Sequence, residues 1–220
     1  VGIRGGIPEI AQNDAEVSVL RCHFLRCTQA GARVESFNAL DWWFWHCTFE
    51  DCGEGVSNWP GAGNFLVYES VFLRSTISDL RMQHTASFFS ARNNVSIGSQ
   101  SFFLAGFTGN PAGITLQGNI ILDPKSIPID ISNFGPILLL DNVIRSRTAA
   151  TGPAIRAGKS DFPSDVVSVG NTFTLTPSLD ITGRFTTVDD RVVDGSSIYP
   201  ALPILPTIPP NLKRPVFEIP

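Results

Sequence analysis

Seven segments of the form apolar-x-apolar-x-x-(small or Asn)-x-apolar recur along this chain: VSVLRCHF, WWFWHCTF, FLVYESVF, FFSARNNV, ITLQGNII, ILLLDNVI and VVSVGNTF. Their anchor residues are Cys22, Cys47, Ser70, Asn93, Asn119, Asn142 and Asn171, spaced 25, 23, 23, 26, 23 and 29 residues apart. A repeat of this length constrains the fold strongly. One such unit is too short to bury its own apolar face, so units must stack and share a continuous core.

The register can be tested column by column. Five residues before each anchor stand Val17, Trp42, Phe65, Phe88, Ile114, Ile137 and Val166; two after it stand Phe24, Phe49, Phe72, Val95, Ile121, Ile144 and Phe173. Three before it stand Val19, Phe44, Val67, Ser90, Leu116, Leu139 and Ser168. Nineteen of these twenty-one positions are apolar in a chain that is 43% apolar overall, which would place about nine there by chance. Alternation on either side of a single bend predicts two short strands that point the same side chains inward. Asn at the bend tolerates the left-handed conformation, and its amide can bond the next coil to form a ladder. Coils spaced like strands, about 4.8 Å apart, give a rod on the order of 30 Å long.

With the ladder (Asn93, Asn119, Asn142, Asn171), the Phe column and a coil of three strands, the chain resembles the right-handed parallel β-helix proteins of the pectate-lyase-like, glycoside-hydrolase-related superfamily over roughly residues 15–175. The expected fold is all-β: a right-handed, single-stranded parallel β-helix of about seven coils with a proline-rich C-terminal arm. The segment WFWHCTF at 43–49 is similar to the "WIDHC" kind of segment in pectate lyases. Trp45 stands where that pattern carries Asp, so no calcium or substrate role is carried over to it. LDWWFWHCTFEDCGEGVSN also resembles segments of bacterial right-handed β-helix repeat proteins. Family members often open with a capping helix, whereas this sequence opens VGIRGGIPEIAQND. Residues 1–14 are therefore expected to be a lead-in or the remnant of a missing coil. The β-helix is expected over 15–175, a last irregular coil over 176–199 and an arm or linker over 200–220, where seven prolines lie between Pro200 and Pro220. Such a stretch cannot continue a hydrogen-bonded ladder.

Composition excludes two partner classes. Charged residues make up 16% of the chain, the net charge is -4 and no Lys/Arg cluster occurs, which argues against nucleic acid. No run approaches the roughly 18 apolar residues of a membrane span. The resemblance instead implies a secreted, extracellular or periplasmic protein whose partner is a polysaccharide or other glycan. Cys22 and Cys47 share the bend column and Cys27 and Cys52 a second column five residues later. Buried free thiols, vertical disulfides and, least favoured by the C-x₄-C spacing, a metal site all remain open.

In the resembled superfamily the substrate cleft runs along the strand after the third turn. Here that strand reads ARVESF, GVSNW, DLRMQ, a poorly defined segment near FLAGF, PIDIS and AIRAG. Aligning Val34, Val56, Leu80, Ile129 and Ile155 inward makes one outward column of Glu35, Ser57, Arg81, an unresolved residue, Asp130 and Arg156. Neighbouring columns hold Arg33, Gly55 and Asp79 on one side, and Phe37, Trp59 and Gln83 on the other. The catalytic candidates are Glu35, Asp79, Arg81 and Asp130; the substrate-binding candidates are Arg33, Phe37, Trp59, Gln83 and Arg156. Two carboxyl groups at the spacing of Glu35 and Asp79 suit inverting hydrolysis. A lyase would use Arg81 as base, and such a reading leaves room for Ca2+; the cofactor is otherwise open. A polysaccharide lyase or glycoside hydrolase acting on an acidic polysaccharide leads. The alternative is a non-catalytic glycan-binding, adhesin or tailspike-like β-helix, in which these charges simply pair with their neighbours. The polygalacturonase series N-x-D, D-D, H-G and R-x-K is not found in order, and Asp189–Asp190 is expected in the tail. His23, His46 and His84 form no column, and the Asn94-Val95-Ser96 glycosylation triplet is discounted because it sits on the ladder.

The strand before the bend presents Leu20, Trp43, Trp45, Leu66, Tyr68, Leu138, Leu140 and Val169 outward. A contiguous face of this kind marks something that covers it. The chain's own arm, a homo-oligomer contact through Trp43, Trp45 and Tyr68, and an aromatic platform for glycans are the three occupants considered.

Overall fold

The computed structural model describes residues 1–6, 14–36, 39–58, 62–83, 88–105, 112–147, 152–174 and 179–193. The proline-rich arm, Phe37, Trp59 and His84 lie outside them. Twenty-four strands and no helix occur among the described residues, and they assemble into three parallel sheets of eight strands each. The fold is a parallel β-helix, and its rung count differs slightly from seven. The first sheet runs from Val17–Leu20 through Leu40–Trp45, Gly63–Tyr68, Phe88–Arg92, Gly113–Gln117, Ile137–Leu140 and Ser164–Val169 to Gly183–Val188. The second, after the bend, runs from His23–Leu25 to Arg191–Val193. The third stacks Ile3–Gly5, Ala30–Val34, Glu54–Asn58, Ser78–Met82, Phe103–Ala105, Ile129–Ile131, Ile155–Ala157 and Leu179–Ile181. Every strand pairs with its equivalent one coil away, so the backbone groups of one rung are satisfied by the next.

The bend differs from expectation in two details. Its left-handed residue is the one before each anchor: Arg21, His46, Glu69, Asn93, Gly118, Asp141, Gly170 and Asp189 all have positive φ. In the fourth coil the ladder residue is accordingly Asn94, not Asn93. Asn94 Oδ1 accepts from Ser70 N–H at 2.9 Å, and Asn119 Oδ1 accepts from Asn94 N–H at 3.1 Å and from its Nδ2 at 3.0 Å. Asn142 and Asn171 repeat the pattern. Each Nδ2 also donates inward to a carbonyl, such as Ala91 O from Asn119 at 3.0 Å. The slip moves Phe89, Ala91 and Ser96 into the inward columns in place of Phe88, Ser90 and Val95.

Beyond Phe173 the ladder runs on. Strands Gly183–Val188 and Arg191–Val193 pair in register with Ser164–Val169 and Thr172–Thr174. Asp190, expected in the tail, ends the amide ladder by accepting from Asn171 N–H at 2.8 Å and Nδ2 at 3.0 Å.

The core is dominated by two aromatic columns. Phe24, Phe49 and Phe72 stack nearly parallel, with centroids 4.8 and 4.9 Å apart, and Phe65 stacks on Phe89 at 5.6 Å. Glycines make room for the rings. A Cβ on Gly31 would come within 2.5 Å of Phe49, and one on Gly55 within 2.5 Å of Phe72. All four cysteines are free thiols, with Cys47 and Cys52 fully buried. Burial pushes both thiols up to about 11, so neither is a nucleophile near neutrality.

Candidate functional site

The third sheet carries the outward charges. Its register aligns Arg4, Arg33, Ser57, Arg81, Leu104, Asp130, Arg156 and Asp180 in one column. Ser57, Arg81, Asp130 and Arg156 hold the places expected of them, and Leu104 is the residue that spacing alone left unresolved. Glu35 does not belong to the column. Val34 pairs with Asn58 rather than Val56, so Arg33 stands beside Ser57 and Glu35 lies just past the strand end. There Glu35 is buried and accepts from Arg4 Nε at 2.5 Å.

Asp79 is corrected more sharply. Strict alternation puts it outside, opposite to Leu80, but the chain turns a corner at the start of this strand and both residues face the core. Asp79 is fully buried. Its Oδ2 accepts from Ser96 Oγ, and Oδ1 has no hydrogen-bond partner. Burial pushes the carboxyl up to about 7, with the Ser96, Ser99 and Ser75 hydroxyls countering only part of the effect. It cannot form a surface carboxyl pair with Glu35.

The same corner carries a residue that alternation hides. Glu54, in step with the inward Val56 by counting, meets the outward arginines instead. Its Oε1 accepts from Arg81 Nη1 at 2.5 Å and from Gln83 Nε2 at 3.5 Å, and its Oε2 accepts from Arg33 Nη2 at 3.3 Å. The Glu54 side chain is 2% exposed, against 19% for Arg33 and 32% for Arg81. A carboxylate so buried is tolerable only when paired. Glu54 thus draws together two guanidinium groups whose backbones stand two rungs, about 10 Å, apart along the axis. Between them the buried Ser57 hydroxyl has no hydrogen-bond partner. Gln83 is held from behind, its N–H donating to Asn58 Oδ1 at 2.6 Å.

Further along the column charge is spent internally. Arg156 forks onto Asp130 through Nε at 3.0 Å and Nη2 at 2.5 Å. Elsewhere His23 contacts Glu50 at 3.1 Å and His46 contacts Glu69 at 3.2 Å. Asn94 spends its amide on the ladder at zero exposure, which leaves it no part in glycosylation. Among the described residues no three His, Cys, Asp or Glu side chains cluster to hold a metal ion, and no helix is long and apolar enough to cross a membrane.

No protein-family model matches this chain, and no curated protein or solved structure matches it either. The parallel β-helix stands on the strand pairing itself, and membership of the pectate-lyase-like superfamily draws no support from those comparisons.

Proposed function

We propose that this chain is an acidic-polysaccharide-binding β-helix, acting outside the cytoplasm in an extracellular or periplasmic setting, whose contact surface is the Arg4–Arg33–Ser57–Arg81 column. The observation that carries the reading is the buried Glu54, which holds Arg33 and Arg81 in one orientation on successive sides of Ser57. Guanidinium groups whose rotamers are already fixed lose little entropy on meeting a carboxylate or sulfate. Arg81 spends only Nη1 on Glu54, so further donors of its fork remain for a ligand. A polymer with anionic groups along its length suits a column that carries an arginine on three of its first four rungs.

The catalytic version, a lyase or hydrolase on the same polymer, finds less support. Hydrolysis needs two carboxyl groups facing one bond. Of the carboxylates proposed for it, Glu35 and Asp130 are engaged by arginines and Asp79 lies in the core. Titration calorimetry with polygalacturonate, alginate and chondroitin sulfate, against dextran as neutral control, tests the proposal. Binding to polyanions alone, weakened by salt and weakened about tenfold by Arg81→Ala, is the expected result. Equal binding of dextran, or an unchanged Arg81→Ala affinity, overturns the site. Unsaturated products or new reducing ends in the same samples overturn the non-catalytic reading.

A further inference from the structure

A second surface, on the first sheet, has chemistry of its own. Its register places Leu20, Trp45, Tyr68 and Arg92 on successive rungs of one outward column, about 4.8 Å apart. Trp45 is 44% exposed and Leu20 54%. The indole is nonetheless fixed on several sides. Its Nε1–H donates to Glu69 Oε2 at 3.3 Å, the His46 ring stacks beside it at 5.7 Å and 15°, and Tyr68 meets it edge-to-face at 6.4 Å and 89°. His46 Nε2 approaches the same Glu69 oxygen at 3.2 Å, and no described residue donates to Glu69 Oε1. Arg92 lies over the Tyr68 ring at 5.7 Å.

This interleaving of rings and charges discriminates among occupants. The centre of a protein interface is depleted of carboxylates such as Glu69, because a desolvating partner would strand them. Here Trp45 is tied to the Glu69 carboxylate and Tyr68 to the Arg92 guanidinium. An apolar arm or a second copy of the chain laid on Trp45 would bury Glu69 and Arg92 with it. A pyranose offers both halves of the complement: a flat C–H face for the rigid rings, which bind at low entropic cost, and hydroxyls for Glu69 Oε1, His46 and the Arg92 fork. The Glu69 carboxylate beside the indole disfavours a uronate at that position, so the fitting ligand is a neutral sugar.

We propose that Trp45, Tyr68, Glu69 and Arg92 form a second saccharide site, specific for neutral pyranose oligomers and separate from the arginine column. It does not rest on the polyanion reading, because the two surfaces lie on different sheets and select opposite ligands. The test is titration calorimetry of the full chain with cellohexaose, xylohexaose and chitohexaose, paired with sedimentation velocity over a range of concentrations. At least one hexasaccharide should bind. Trp45→Ala should weaken it by about tenfold or more, Tyr68→Phe should leave it largely intact, and Arg81→Ala should not change it. Glu69→Gln, which keeps the shape of an exposed side chain, should weaken it several-fold and serves if Trp45→Ala fails to fold by circular dichroism. Absence of binding to all three sugars overturns the proposal, as does an affinity indifferent to both Trp45→Ala and Glu69→Gln. Concentration-dependent dimers abolished by Trp45→Ala would assign the face to a second copy of the chain.

Discussion

In the N-terminal rungs the bend column holds Cys22, Cys47 and Ser70, and the core column beside it holds the stacked rings of Phe24, Phe49 and Phe72. In the C-terminal rungs the same two columns hold Asn119, Asn142 and Asn171, and Ile121, Ile144 and Phe173. The thiol of Cys47 reaches the Val19 carbonyl at 3.3 Å, a weak bond for a weak donor. Asn119, Asn142 and Asn171 instead each satisfy two donors of the rung before and one carbonyl. One half is therefore held chiefly by ring packing and the other by buried amides, two routes to the same rung spacing. Both candidate binding surfaces, Glu54 with its arginines and Trp45 with its partners, lie on the ring-packed half. The seam falls where Ser96 takes the place of a Phe and Asp79 takes the place of a Gly.

That seam should be the most pH-sensitive part of the molecule. The Asp79 carboxyl rises from an ordinary 3.8 to about 7 on folding. Its folded form is thus favoured while the group is neutral: the contribution is whole below about pH 4 and is lost as pH rises toward about 7. At about 1.4 kcal/mol per unit the loss is on the order of 4 kcal/mol. Asp51 and Asp165, held low by Arg74 and Arg184, act in the opposite sense, so the difference between two proteins is the quantity to measure. Urea midpoints of wild type and Asp79→Asn across about pH 4 to 8 should diverge, the variant gaining stability above neutrality. Parallel curves would show that the carboxyl does not titrate as described.

The next largest effect separates the two halves directly. Asn119→Ala removes the acceptor of both Asn94 donors inside the core, leaving buried polar groups without partners at a cost of about 2–4 kcal/mol. Cys47→Ser keeps a donor beside the Val19 carbonyl and should stay within about 1 kcal/mol of wild type. Denaturant unfolding of the two variants decides the matter. Equal losses would mean that the amide ladder contributes no more than the thiol column.

Much of this architecture could be read from spacing, because an inward column is apolar in nearly every coil and one face per strand must be buried. The fourth coil shows where that signal fails. Phe88–Phe89, Ser90–Ala91 and Asn93–Asn94 are adjacent look-alikes, so a one-residue slip costs the pattern almost nothing. Bonding to Ser70 and Asn119 is what selects Asn94. The site was less legible for one geometric reason. Alternation assumes a straight strand, and the corner at the start of the third-sheet strands reverses it, sending Asp79 into the core and Glu54 to the arginines. The available clue was glycine: Gly31 and Gly55 lie directly in line with Asp79, and residues that admit no Cβ mark an inward position.

This alignment yields the finest test of the comparison. Gly31 lies against Phe49 and Gly55 against Phe72, and one rung on the pair is Asp79 against Ser96. The two kinds of pair fill similar space with opposite partners, small against large and then medium against small. Ser96→Phe alone drives a ring into the carboxyl and should cost about 1–3 kcal/mol by overpacking. Asp79→Gly alone leaves a void and an orphaned hydroxyl, at a cost of about 1–3 kcal/mol. Together they recreate the Gly–Phe pair and should extend the stacked column by one ring. Measured at about pH 5, where Asp79 is largely neutral and its titration does not intrude, the double variant should return to within about 1 kcal/mol of wild type, a coupling close to the sum of the two single losses. Simple additivity of the two losses would mean that the seam is held by something other than this exchange of volumes.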